Sequence, residues 1–189
     1  MFRKFIVLIL LTLSSLYVQA DISVPDGFKL QKLEATDGSI AIPVDWYYRE
    51  DSTQSGVLWT ISKEDPKDGP YSIGQRIQLL VGVEDGTKKP RKEFVDNFIS
   101  SKRKISKIVK DCKTTDLGDF YRTCLEIIEP PSKDGVKKEF HILYSVFWAK
   151  EMDLVVVVTF GAPDKDWESV KDIADVMTEI EIIGPNLGK

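Results

Sequence analysis

Two cysteines and one histidine are the only side chains of their kinds in this 189-residue chain. Cys112 and Cys124 bound the stretch C-K-T-T-D-L-G-D-F-Y-R-T-C. A redox pair of thioredoxin type needs C-x-x-C, and a structural zinc site needs four ligands, so neither reading is served. In an oxidising compartment such a pair becomes a disulfide. Residues 108–116 and 120–129 are rich in β-formers, and Asp116-Leu117-Gly118-Asp119 reads as a hairpin turn, with glycine supplying a positive φ. Counted outward from Gly118, Asp116 faces Phe120, Thr114 faces Arg122 and Cys112 faces Cys124. Facing residues have Cβ atoms about 4.5–5.5 Å apart, within reach of a bridge.

His141 could act as a general base, and a hydrolase would pair it with a nearby carboxylate. A histidine at a strand end also serves structure alone. Asp164, Asp166 and Glu168 could contribute to a calcium site, but their spacing lacks the glycine and order of an EF-hand. The same three read more simply as acidic residues at a helix start. No G-x-S-x-G elbow is present, and neither G-x-G-x-x-G nor G-x-x-x-x-G-K-S/T occurs. We therefore assign no catalytic set, metal site or cofactor. Trp46, Tyr47 and Tyr48 form a candidate aromatic patch for a small ligand, or belong to the core.

Charge is distributed unevenly. Lys88 to Lys110 carries nine basic residues against Glu93 and Asp96, in a chain of formal charge −4. Basic residues suit a helix's carboxyl end, which accounts for Lys102, Arg103 and Lys104. Lys88, Lys89, Arg91 and Lys92 crowd the other end, where positive charge is mildly unfavourable. These seven make a candidate patch for an acidic protein or an anionic surface. An exported acidic protein without interleaved exposed aromatics is a poor fit for nucleic acid.

Export is read from the start of the chain. Arg3 and Lys4 precede an apolar run, and Val18-Gln19-Ala20 offers small residues for signal peptidase, so cleavage is expected after Ala20. The run is shorter than the roughly 20 residues a membrane span needs. The expected product is a single domain over 21–189, periplasmic or secreted, without a transmembrane segment; its oligomeric state is not legible. Loss of Arg3 and Lys4 takes the formal charge from −4 to −6.

The elements that must position these groups are read from periodicity. Residues 39–43, 57–62 and 75–83 read as strands, and 50–56 and 64–71 as loops. A helix is expected over about 90–104, with Phe94, Val95, Phe98 and Ile99 on one face. Residues 140–149 and 154–160 form a hairpin around Lys150-Glu151-Met152-Asp153. They are apolar on both alternate sets, so the sheet is covered on both faces in its middle. A second helix over about 164–178 buries Trp167, Val170, Ile173, Ala174 and Met177.

I-A-I-P-V-D-W (40–46), K-E-F-V-D-N-F and W-A-K-E-M-D-L-V-V-V-V-T-F-G-A-P, in this order, resemble the PsbP-like superfamily over about residues 28–183. That group spans PsbP itself, DcrB-type periplasmic proteins and a eukaryotic Ran-release factor. The resemblance implies an α+β fold, an antiparallel β-sheet flanked by helices as an α/β/α sandwich. It also implies a non-enzymatic accessory or binding module of the cell envelope. Histidine-rich metal binding, seen in some relatives, has little to work with here, and the cysteine pair is not part of the shared pattern.

Overall fold

The computed structural model describes residues 24–131 and 138–184. The expected leader at 1–20, with its cleavage site, lies outside the described residues. The elements run β1 (Phe28–Leu33), β2 (Asp37–Pro43), β3 (Tyr47–Thr53), β4 (Gly56–Ser62), β5 (Gly74–Val81), α1 (Val83–Thr87), α2 (Arg91–Ile105), β6 (Lys107–Asp111), β7 (Thr115–Asp116), β8 (Phe120–Glu129), β9 (Phe140–Ala149), β10 (Leu154–Pro163), a 3-10 turn (Asp164–Asp166), α3 (Trp167–Met177) and β11 (Ile180–Ile183).

Among the described strands every pairing is antiparallel. Eight make one sheet, ordered β3-β4-β5-β10-β9-β8-β6 with β7 paired to β8; the other three make a small sheet, β1-β2-β11. β10 is central, and its sequence L-V-V-V-V is apolar at consecutive positions because both of its faces are covered. One face carries Val156, Val158 and Phe160 against the small sheet and α3, whose Trp167, Val170, Ala174 and Met177 are buried. The other carries Val155 and Val157 under α2, whose Val95 and Ile99 are buried. Helices thus flank the sheet on opposite faces, the expected α+β arrangement. The small sheet beside α3 has no counterpart in the sequence reading, which found only part of β2.

Three local expectations are corrected. The polar run after Tyr48 is a strand, not a loop. β3 is an edge strand, so its outward positions can be polar while Tyr48 and Glu50 face inward over Trp59. Second, the strand expected to reach residue 83 stops at Val81. Gly82 takes a left-handed conformation, φ 72°, and starts α1. Third, the strand expected over 108–116 is broken. β6 has a bulge between Ile108 and Lys110, and residues 112–114 are not strand.

Candidate functional site

The hairpin ahead of Cys124 turns more tightly than its sequence suggested. Leu117, not Asp116, faces Phe120 and donates to its carbonyl at 2.8 Å. Gly118 holds φ 86°, and its N–H donates to the Asp116 carboxylate at 3.0 Å. Thr115, not Thr114, therefore pairs with Arg122. The extra residue is absorbed at 112–114, because β6 already pairs Lys110 with Glu126 and Asp111 with Leu125. Cys112 consequently still faces Cys124: its N–H donates to the Cys124 carbonyl at 3.1 Å, the Cα atoms are 5.0 Å apart, and the two form a disulfide. The bridge ties β6 to β8 at the sheet edge. Chain entropy assigns about 3 kcal/mol to so short a loop, and the reduced hairpin keeps part of its constraint. Replacing both cysteines with alanine should therefore lower stability by about 2 kcal/mol in urea unfolding. A loss under about 0.5 kcal/mol would mean the edge needs no covalent tie.

His141 is buried, and carboxylates occupy both nitrogens: Asp164 at 3.0 Å from Nδ1 and Glu126 at 2.8 Å from Nε2. Trp167 stacks on the ring, centroids 3.9 Å apart and planes at 2°. The carboxylate that a hydrolase would require is present twice. Among the described residues, however, neither nitrogen bonds a hydroxyl or thiol. The geometry makes His141 a clamp joining β8, β9 and the turn before α3. Asp164 is committed to this clamp, and among the described residues no group of three or more metal-ligating side chains could hold an ion.

The aromatic triplet does not form one surface. Trp46 is buried and stacks on Phe160, Tyr47 is exposed, and Tyr48 donates to Glu50 at 2.8 Å. Burial first, then the Glu50 carboxylate, raises the Tyr48 phenol well above its ordinary pKa. Successive positions along a strand face opposite ways, which divides Tyr47 from Tyr48.

The seven-residue basic patch is likewise divided. From Arg91 to Lys102 the helix rises about 16 Å, twice the ~8 Å screening length at physiological salt. At the amino end, Lys89 pairs with Glu93 at 2.5 Å and Lys92 with Asp96 at 2.7 Å. Arg91 is structural: it pairs with Glu84 at 2.9 Å, donates to the Lys150 carbonyl at 3.2 Å, and also reaches the Met152 carbonyl. Lys88 has no ion-pair partner among the described residues. At the carboxyl end, Lys102 lies 3.5 Å from Glu129 and Arg103 grips Asp111 at 2.6 and 2.9 Å. Lys104, Lys107 and Lys110 have no ion-pair partner among the described residues and are exposed.

This carboxyl end holds what the sequence reading missed. Ile105, Ile108 and Val109 are 62%, 46% and 47% exposed. β6 is exposed at every position and ends the large sheet, so one side of its backbone has no neighbouring strand among the described residues. The opposite edge, β3, carries Arg49 and Asp51 paired at 2.8 Å, the charged dressing usual for such an edge. The signal for β6 was present in K-I-S-K-I-V-K: isoleucine and valine among lysines, with no alternation to hide them.

No helix among the described residues is long and apolar enough to cross a membrane. No protein-family sequence model matches the chain, and comparison with curated protein sequences finds no match. Solved structures do match. Cyanobacterial PsbP (CyanoP) from Synechocystis sp. PCC 6803 aligns with TM-score 0.51 and 12% identity, over 82% of this chain and 92% of its own. LpqN of Mycobacterium tuberculosis, involved in cell envelope biogenesis, aligns with TM-score 0.50 and 13% identity, over 83% and 91%. The Saccharomyces cerevisiae Ran-binding protein Mog1p aligns with TM-score 0.53 and 12% identity, over 85% and 97%. Each of these matches spans nearly the whole of the known domain, and the chain therefore has the PsbP-like fold.

Proposed function

We propose that the protein is an exported accessory module of the cell envelope, acting by binding rather than catalysis, and that it contacts its partner through β6. The observation that carries this reading is the open β6 edge, with Ile105, Ile108 and Val109 exposed beside three lysines that have no ion-pair partner among the described residues. An edge strand can accept another strand, main-chain hydrogen bonds giving the pairing its affinity, and the bulge and lysines of β6 guard it against indiscriminate pairing. Lys104, Lys107 and Lys110 select the occupant. They disfavour a neutral or basic strand and favour an extended acidic segment of another envelope protein. The Cys112–Cys124 bridge supports export, since such bonds persist in oxidising compartments. LpqN's link to envelope biogenesis and Mog1p's binding of Ran are properties of those proteins that agree with this class of role.

The test is a photo-crosslinking residue placed at Val109 in the producing cells, with the same residue at Lys67, on the 64–71 loop, as control. We expect one discrete adduct at 109 and none at 67. Reversing Lys104, Lys107 and Lys110 to glutamate should reduce the adduct at least fivefold. No adduct at 109, equal adducts at both sites, or an adduct of twice the monomer mass would contradict the reading.

A further inference from the structure

α2 covers only part of its face of the large sheet. Beyond β10 the helical cover ends part-way. Leu80 of β5 still packs against the α1–α2 cluster, whereas Arg76 and Gln78 of β5 and Arg49 of β3 are exposed, in a trough lined by α2 on one side and the loop at 63–73 on the other. Strand register sets its floor. Arg49 faces Thr60, Thr60 faces Arg76, Arg76 faces Thr159, and Thr159 faces Tyr144. With neighbouring strands about 4.8 Å apart, this line sets two arginines among three hydroxyls across roughly 20 Å of sheet.

The trough has two lobes that meet at Leu58 and Arg76. One, of about 220 Å³, is walled by Phe98, Lys102, Tyr144 and Val157. The other, of about 270 Å³, is walled by Arg49, Pro66, Pro70 and Tyr71. Three cations line the lobes and no carboxylate does, in a chain with 30 acidic residues against 26 basic ones. Arg49 is engaged by Asp51 and Lys102 by Glu129. The Arg76 guanidinium, at the junction, has no hydrogen bond or ion pair among the described residues. Its charge is felt by its neighbour: burial raises the Tyr71 phenol, and Arg76 and Arg49 pull it back.

We propose that this trough is a binding site for an amphiphilic organic anion, its carboxylate or phosphate held by Arg76 and its apolar body laid along either lobe. Arginine presents a fork of donors matched to such oxyanions, and the Thr159 hydroxyl and Gln78 amide stand beside it. Phe98, Tyr144 and Val157 in one lobe, and Pro66, Pro70 and Tyr71 in the other, supply apolar wall. At about 220 and 270 Å³ each lobe lies a little below the usual range for small-molecule sites, which suits a compact ligand with one short apolar body. The site is separate from the β6 edge and does not depend on it.

The test is calorimetric titration of the purified protein with decanoate and 2-naphthoate, with decanol and inorganic phosphate for comparison. At least one of the two organic anions should bind with one-to-one stoichiometry. Arg76→Gln should weaken it at least tenfold and Lys102→Gln at least threefold. Decanol and inorganic phosphate should each bind at least tenfold more weakly than that anion. Arg76 is exposed, so its variant should unfold at the same temperature as the parent. Absence of binding by both organic anions, unchanged affinity in Arg76→Gln, or equal affinity for phosphate or decanol would overturn the proposal.

Discussion

Replacing Trp59 with alanine should destabilise the protein by about 3–5 kcal/mol, the range for removing a large aromatic from a close-packed core. Trp59 is fully buried in the layer between the large sheet and α3, and it leaves a hole that rigid neighbouring strands cannot close. Its indole N–H donates to Glu50 at 2.6 Å, and Tyr48 donates to the same carboxylate oxygen. Trp59→Phe keeps most of the volume and removes the indole donor, so it should cost about 1–3 kcal/mol. Urea unfolding should show both losses in the midpoint with the slope unchanged. An alanine variant less than about 1.5 kcal/mol below the parent would place Trp59 outside a packed core.

Replacing His141 with leucine should cost about 3 kcal/mol, because two partly buried carboxyl groups each lose a hydrogen-bond partner at about 1–3 kcal/mol apiece. Two carboxylates, Glu126 and Asp164, would face each other across an apolar side chain, and the stack on Trp167 would be lost. Both carboxylates keep some solvent, 18% and 35% exposed, which places the cost at the low end. In a Glu126→Gln, Asp164→Asn background the same leucine should cost less than half as much, since amides do not repel. Equal cost in both backgrounds would show that the carboxylates do not depend on the imidazole. That result would return His141 to consideration as a chemical group.

The sequence disclosed the elements whose periodicity carries over many residues. The buried stripe of α3 and the valine run of β10 were legible because burial on one or both faces constrains every position. β1, β3 and β11 were not. Each is short or lies at a sheet edge, where few positions are buried and the polar residues read as loop. The disulfide was read correctly through a turn read wrongly. A one-residue error at Gly118 was cancelled by the irregular residues 112–114, which local patterning does not reveal.

How the basic residues of the patch are paired was hidden from the sequence for a different reason. Lys89, Arg91 and Lys92 are close in sequence, but i,i+4 spacing hands Lys89 and Lys92 to Glu93 and Asp96, and the packing of α1 beside α2 hands Arg91 to Glu84. Residue counts see the charge and not its partner. Arg76 is the reverse case. In Q-R-I-Q-L it alternates with buried Ile77 and Leu79, which indicates a polar face, and only strand register shows that Arg49, Thr60 and Thr159 share it.

Hydrogen exchange at β6 tests the role of this edge most directly. Amide exchange over Lys107–Asp111 should be measured on the free protein and on the adduct trapped at residue 109. If a partner adds as a strand, the outward N–H groups of β6 gain cross-strand hydrogen bonds, and their exchange should slow at least tenfold, with β3 unchanged. Unaltered exchange along β6, with slowing elsewhere on the molecule, would contradict the account.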